Sequence, residues 1–245
     1  MTRIVAIIPA RYASTRLPGK PLAEIAGKPM IQHVYERTTR ARVDRVLVAT
    51  DDERIQRAVL AFGGDVVMTS PAHASGTDRV AEAARSLDAD WIVNVQGDEP
   101  LLHPQMLDRL LEPLRHDPTI PMGTLAHPLI EPGDFLSPDV VKVVCDLRGF
   151  ALYFSRAAIP LAREQRDTPT HVLRHIGLYA YRADFLQRFA RLDSTPLERL
   201  EKLEQLRALE HGFPIRVVTT SHGATGVDTM ADLDKVRKIL ASTPA

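Results

Sequence analysis

The sequence predicts an α/β fold with a mostly parallel central sheet flanked by helices. Over the first hundred residues, short apolar runs alternate with longer amphipathic ones. Each apolar run is nearly continuous rather than alternating, as strands buried on both faces require. Strand–helix alternation of this kind implies right-handed crossovers. At 245 residues the chain is long enough for one such domain with a substantial core. It is read as a single domain, 1–245, without internal repeats or an interdomain linker.

The elements follow in order. IVAIIP (Ile4–Pro9) is the first strand and PMIQHVYERTTRA the first helix. RVLVAT (Arg45–Thr50) is the second strand, and ERIQRAVLAFGG a helix stopped by Gly63-Gly64. DVVM, TDRVAEAARSL and WIVNVQ (Trp91–Gln96) continue the alternation, and Thr77 can cap the helix beginning near Asp78. After about Pro100 the pattern changes. PQMLDRLLEPLR reads as a helix and GTLAHPL as a strand. VVKVVCD and ALYFS read as two strands joined by a tight turn at Leu147-Arg148-Gly149. AAIPLAREQRDTPTHVLRH is proline-rich and polar, a candidate mobile loop over a site. HIGLYAY is a strand. Thr195, Pro196 and Glu198 are the start signal of a helix running through PLERLEKLEQLRALEHG to Gly212. IRVVTT is a last core strand and MADLDKVRKILA a closing helix.

Lys+Arg and Asp+Glu both number 31. With no net charge there is no global basic field to attract a nucleic-acid backbone, so nucleic acid is not an expected partner. No run approaches the roughly 20 apolar residues that span a bilayer. IVAIIP is too short for the apolar region of a signal peptide. The single cysteine, Cys145, cannot form an internal disulfide and reads as a small core residue. The expected location is the cytoplasm, away from membranes.

Ligands of an open parallel sheet bind beyond the carboxyl ends of its strands. The segments there are Pro9-Ala10-Arg11, Asp51-Asp52, TSPAHASGTDR, Gly97-Asp98-Glu99-Pro100 and GATGVDT. The opening loop, PARYASTRLPGKPL, is not a Walker A loop. Ser14 stands where the first glycine belongs, and Pro21 where Ser or Thr belongs. Its Arg11, Arg16 and Lys20 lie within ten residues and can grip phosphate oxygens, while Pro18 and Pro21 stiffen the backbone. A solvated basic loop is the bland reading. Asp98 and Asp228 each follow a strand. Singly each is a turn or capping residue, but two on one sheet edge suit a hard cation such as Mg²⁺. Ser70, Ser75, Gly76 and Thr77 are small enough to admit a base and hydrogen-bond its edge. His73 reads as a surface histidine. Basic loop and carboxylate pair together point to nucleoside-triphosphate chemistry.

Through almost the whole chain the motifs resemble those of the 3-deoxy-manno-octulosonate cytidylyltransferases, or CMP-KDO synthetases. The matching segments are IIPARYASTRLPGKPL, VATDDERI, HASGTDRVAEA, VNVQGDEPLL, VKVVCDLRGFALYFSRAAIP, LRHIGLYAYR, PLERLEKLEQLRALEHG and GVDT. The resemblance implies a Rossmann-like nucleotidyltransferase fold with a small hairpin and irregular subregion. It implies Mg²⁺ dependence, a homodimer, and transfer of CMP from CTP to 3-deoxy-manno-octulosonate (KDO) for lipopolysaccharide biosynthesis. By motif, Ala10, Arg11, Arg16 and Lys20 would meet the CTP phosphates, and Ser70, Ser75, Gly76 and Arg79 the cytidine. Asp98 and Asp228 would hold Mg²⁺. Gln96, Arg156, His175, Tyr179, Glu204 and Gln205 would meet the sugar acid. Arg11, Lys20, Asp98 and Asp228 are the expected catalytic set. Residues 147–200 are the expected sugar-binding and dimerisation subregion. One departure is visible: the family commonly has Pro-Gly before Thr-Gly-Val-Asp, and here the run is SHGATGVDT, with Ala224 and Thr225. It keeps Gly226 and Asp228.

Three rival readings stand beside this one. The first is a cytidylyltransferase for another sugar acid, such as sialic acid or an 8-amino KDO analogue. The second is a non-catalytic nucleotide-binding protein on the same fold, and the third a glycosyltransferase using a sugar nucleotide. Retention of two carboxylates disfavours the binder. Gly97-Asp98-Glu99-Pro100, which is not an Asp-x-Asp motif, disfavours the glycosyltransferase.

Overall fold

The computed structural model describes residues 2–13, 17–129, 132–161, 163 and 172–242. In chain order it contains β1 (Ile4–Ala10), β2 (Glu24–Ile25), β3 (Lys28–Pro29), α1 (Met30–Thr38), β4 (Arg45–Thr50), α2 (Glu53–Ala61), β5 (Val66–Met68), α3 (Gly76–Ala84), β6 (Trp91–Asn94) and α4 (Pro104–His116). There follow β7 (Met122–Pro128), α5 (Pro132–Leu136), β8 (Lys142–Cys145), β9 (Ala151–Ser155), β10 (Leu173–Arg182), α6 (Ala183–Phe189), α7 (Pro196–Glu201), α8 (Leu206–Glu210), β11 (Ile215–Thr219) and α9 (Met230–Ser242).

Two compact units divide the chain, 1–108 with 224–245, and 109–223. In the first, β1 is flanked by β4 and β6, and β4 by β5, all parallel. Ile4, Ala6, Ile7, Ile8, Val48, Ala49, Ile92 and Val93 are buried, as near-continuous apolar strands should be. A second cluster of Ile25, Met30, Val227, Leu233 and Val236 packs α9 against the β2–β3 hairpin region. That hairpin is absent from the sequence reading. Its Ala26 and Gly27 both adopt positive φ, 48° and 77°. This is the backbone of a two-residue hairpin turn, which Ala at the first position does not advertise.

In the second unit, β7 pairs parallel with β11 and antiparallel with β10. β8 pairs antiparallel with both β10 and β9. The expected turn between β8 and β9 is present. Gly149 sits at φ 80°, and Asp146 Oδ1 accepts from the N–H groups of Arg148 and Phe150. The described residues thus realise the α/β prediction, with parallel strand pairing in the first unit and largely antiparallel pairing in the second.

Four element-level expectations need correction. The helix expected over 196–212 is broken into α7 and α8 by Lys202, at φ 55°. Leucines recur every third residue at 197, 200, 203, 206 and 209. At 3.6 residues per turn such a stripe drifts about 60° per step, so one straight helix cannot face all of them to a core. The break buries Leu203 and Leu206 and leaves Leu200 80% exposed. α3 begins two residues earlier than expected. Ser75, not Thr77, is its cap, exchanging hydrogen bonds with Asp78 (Asp78 N to Ser75 Oγ 3.1 Å, Ser75 N to Asp78 Oδ2 3.2 Å). α6 was not anticipated: it follows β10 with no glycine or proline between. Cys145 is half-buried rather than core, and burial and then Asp146 push its thiol up to about 11.

Candidate active site

Within the first unit, a cavity of about 320 Å³ lies beyond the carboxyl ends of β1 and β6 and beside the start of α3. Pro9, Ala10 and Arg11 contribute from β1, Lys20 and Pro21 from the opening loop, and Gln96, Gly97 and Asp98 from the turn after β6. His73, Ala74, Ser75, Gly76 and Arg79 form the α3 side, and Asp228 comes from the turn before α9.

The opening loop is shaped by Gly19. Its φ of 70° favours glycine, and a Cβ there would lie 3.1 Å from the Tyr12 ring. Gly19 N–H donates to Tyr12 O at 3.1 Å, and a short 3₁₀ turn, Lys20–Leu22, follows at once. Tyr12 in turn lies under the Arg54 guanidinium, 3.3 Å from the ring centroid, and Arg54 is forked onto Asp52. These contacts fasten the loop to the start of α2 and deliver Lys20 into the cavity.

The Lys20 ammonium donates to Asp98 Oδ2 at 2.6 Å, to Val227 O at 2.9 Å and to Asp228 Oδ1 at 3.2 Å. The two carboxylates predicted to share a cation therefore converge on a cation, here one belonging to the protein. Backbone fixes the pair: Val227 N–H donates to Asp98 O at 2.9 Å, and the buried Val227 side chain anchors the turn in the α9 cluster. Asp232 Oδ2 accepts from the N–H groups of Asp228 and Thr229. Gly97 is required by a close approach, because a Cβ there would be 2.8 Å from Pro9 O. Gly223-Ala224, which stands before Thr225 in place of Pro-Gly, leaves this arrangement standing.

On the α3 side, Arg79 is buried. It donates to Thr69 Oγ1 and to Asp51 Oδ2 at 2.8 Å, so its charge is already paired. Ser75 and Gly76 line the cavity, whereas Ser70 does not. Its N–H goes to Glu82 Oε2 and its hydroxyl accepts from Ala72 N–H. His73 is a correction: it is no free surface histidine but a cavity residue whose Nε2 is bonded to Glu82 Oε2. The His73 bond, and next the Ser70 N–H, hold the Glu82 carboxyl below its usual range. Its partner lies nine residues away, inside α3, which no local motif marks. Arg16 falls outside the described residues, as do 162 and 164–171 of the proline-rich loop expected to cover a site.

Two oxygens and a carbonyl around one positive charge are a hard-donor set, so the residues fit Mg²⁺. Among the described residues no cluster of three or more His, Cys, Asp or Glu could hold a metal.

The remaining sequence candidates lie in the second unit. His175 and Tyr179 do not merely share a strand face. The register of β10 on β7 shifts between Ile176 and Tyr179, and the two rings come to 5.5 Å between centroids. Thr124 fills the irregularity. Its hydroxyl oxygen is 3.0 Å from Leu178 O, 3.2 Å from Ile176 O and 2.9 Å from His175 Nε2. A hydroxyl close to carbonyl oxygens must donate to one of them, so His175 Nε2 carries the proton and Nδ1 is the acceptor. Burial lowers the His175 pKa to about 3, keeping the ring neutral. Burial, and next the Glu204 carboxylate, raise the Tyr179 phenol far above its normal range. Glu204 and Gln205 are not a solvated helix face. They occupy the α7–α8 break, with Gln205 3% exposed and its Nε2 without a partner among the described residues. Arg156, just past β9, donates from Nε to Glu201 O at 2.8 Å and from Nη1 to Pro138 O at 2.9 Å.

Comparison with known proteins follows this geometry. The cytidylyltransferase family model matches residues 5–219. The 3-deoxy-manno-octulosonate cytidylyltransferase of Geobacter metallireducens is 59% identical over 244 residues, covering 96% of each chain. That of Syntrophotalea carbinolica is 59% identical over 241 residues, covering 95% of this chain and 96% of its own. A solved structure of CMP:2-keto-3-deoxy-manno-octonic acid synthetase complexed with CTP superposes with a TM-score of 0.94 at 47% identity, over 98% of this chain and 99% of that one. A 4-diphosphocytidyl-2C-methyl-D-erythritol synthase from Anaerococcus prevotii, 13% identical with a TM-score of 0.63 over 98% of this chain and 99% of its own, shares the fold alone.

Proposed function

Because the chain belongs to the 3-deoxy-manno-octulosonate cytidylyltransferase family, we propose that it transfers CMP from CTP to KDO, releasing pyrophosphate, as a step towards lipopolysaccharide. The observation that carries this reading is the meeting of Asp98, Asp228 and Lys20 in one cavity behind a basic loop. The anomeric C2 hydroxyl of KDO attacks the α-phosphorus of CTP in line. The P–O bond to the β-phosphate breaks, and the hydroxyl proton passes to solvent. Such a transfer needs positioning and charge neutralisation rather than a covalent enzyme intermediate.

Arg11 and Lys20, with Arg16, neutralise the phosphates, and Ala10 presents backbone to them. Ser75 and Gly76 bound the base, with Ser70 and Arg79 supporting that wall. Arg79 acts as a strut more than as a free charge, since Asp51 and Thr69 hold it. Asp98 and Asp228 would hold Mg²⁺, which when bound supplies Lewis-acid polarisation of the phosphate oxygens. Lys20, beside the two carboxylates, would lend its charge to the phosphates. For the sugar acid, Gln96, Arg156, His175, Tyr179, Glu204 and Gln205 are the proposed contacts. Arg156 suits the carboxylate. His175 Nδ1 accepts from a hydroxyl, and the unpartnered Gln205 amide donates to one. A single functional domain acting as a homodimer in the cytoplasm, with 147–200 contributing to sugar binding and dimerisation, completes the proposal. No helix of the described residues is long and apolar enough to cross a membrane.

The test is incubation with CTP, Mg²⁺ and a panel of sugar acids comprising KDO, 8-amino-KDO and sialic acid, scoring pyrophosphate. Release with KDO above the other two is expected. Preference for another acid would move the acceptor assignment, and no release with any would overturn the transferase reading.

A further inference from the structure

Lys142 is fully buried, yet it carries a charge at the start of β8 among apolar neighbours. In VVKVVCD its position would read as core, and the sequence attaches no chemistry to it. Its ammonium donates to three backbone carbonyls: Ser137 O at 2.7 Å, Val140 O at 2.5 Å and Arg156 O at 2.7 Å. All three protons are thereby used, and three buried acceptors are satisfied at once.

These acceptors share one neighbour. Arg156 is fixed through its backbone by Lys142, and its Nη1 donates to Pro138 O in the same 137–140 turn that Lys142 holds. Its other side is set by Glu201. That carboxylate accepts from Arg156 N–H at 2.9 Å, Ser155 Oγ at 2.7 Å and Tyr153 Oη at 3.3 Å, and Glu201 O accepts from Arg156 Nε. Arg156 Nη2 has no hydrogen-bond partner among the described residues. Lys142 is also paired across the sheet with Ser155 on β9 and with Arg174 on β10. Val141 O accepts from His175 N–H at 2.8 Å. The start of β8 thus ties together the strand ends that present Arg156 and His175.

We propose that Lys142 and Glu201 are positioning residues that aim the Arg156 guanidinium, through the 137–140 turn and the end of β9, at the carboxylate of the sugar acid. Arg156 lends Nε and one Nη1 proton to the scaffold and keeps its remaining N–H groups for the ligand. A guanidinium held at two edges loses little rotamer freedom on binding, which is what preorganisation requires. The inference rests on the proposed sugar-acid role of Arg156.

The experiment measures steady-state KM for KDO and for CTP, with kcat, in Arg156→Ala, Lys142→Met and Glu201→Gln, alongside melting temperatures. Arg156→Ala is expected to raise the KM for KDO at least tenfold. Lys142→Met and Glu201→Gln should raise it severalfold or more, with the KM for CTP within twofold of wild type. Should Lys142→Met not fold, Glu201→Gln, which keeps size and an acceptor, carries the test. An unchanged KM for KDO in both positioning variants, with a raised one in Arg156→Ala, would overturn the positioning role alone. A lowered melting temperature with both KM values unchanged would do the same. An unchanged KM in Arg156→Ala would overturn the sugar-carboxylate role and the inference with it.

Discussion

The two units gather their polar groups in opposite ways. In the first, the charged groups of the cavity sit in loops or turns, apart from Arg79 on α3, and Lys20, Asp98 and Asp228 are drawn from three of them. In the second, the candidate groups lie within or directly at the ends of antiparallel strands and in a helix break, and their geometry is set by irregularities. These are the β10 register shift at Ile176/Tyr179, the Lys142 scaffold and the turn at Lys202. Parallel strand ends concentrate chemistry in contiguous, recognisable motifs. Antiparallel strands hide it among core residues, where it becomes visible only once pairing is known.

This contrast predicts that variants of the first unit will act on the phosphate and cation terms, and those of the second on the acceptor. The largest effect is expected at Asp228 and Lys20. Asp228→Asn or Lys20→Ala should lower kcat by about 10²–10³, the usual scale for losing one charge-stabilising group, while the melting temperature changes little. Near-normal kcat would remove either residue from the charge-neutralising set. Next comes Gly97→Ala. Its Cβ would be 2.8 Å from Pro9 O, so the β1–β6 edge must shift. A loss of about 1–3 kcal/mol in urea unfolding, with a raised KM for CTP, is expected. An unchanged KM would show that the edge does not set nucleotide geometry.

The neutral His175 gives a pH signature. Its folded pKa of about 3 lies below the ordinary 6.5, so between these values the unfolded chain binds more protons. Stability is fully present above about 6.5 and is lost as pH falls towards 3. Subtracting the urea-unfolding curve of His175→Gln from that of wild type should isolate this decline. A flat difference would mean that the ring titrates normally. The smallest effect is Lys202→Gly, which relieves a positive φ and should stabilise by up to about 1 kcal/mol.

Much of the fold was legible because local signals agreed with the tertiary result. Continuous apolar runs became β1, β4 and β6, and Gly149 marked its turn. What failed had no local marker. Leucines at every third residue look helical one by one, and only the packing of Leu203 and Leu206 shows that a single helix cannot satisfy them. The Ala26-Gly27 turn carries one glycine where two positive-φ residues are needed. In the cavity, Asp98 and Asp228 were legible as strand-end carboxylates. The Lys20 contact with both, 78 and 208 residues away, depends on how the strand ends are brought together. His73 was invisible for the same reason, since its partner Glu82 lies near the far end of α3. Lys142 was hidden by its apolar neighbours.

The most direct test of the account is pyrophosphate release from CTP and KDO by Asp98→Asn at saturating Mg²⁺, measured beside wild type. With the carboxylate pair broken and the fold kept, release is expected to fall by about 10²–10³. Turnover near the wild-type rate would contradict the proposal that Asp98 and Asp228 form the cation clamp of the transfer.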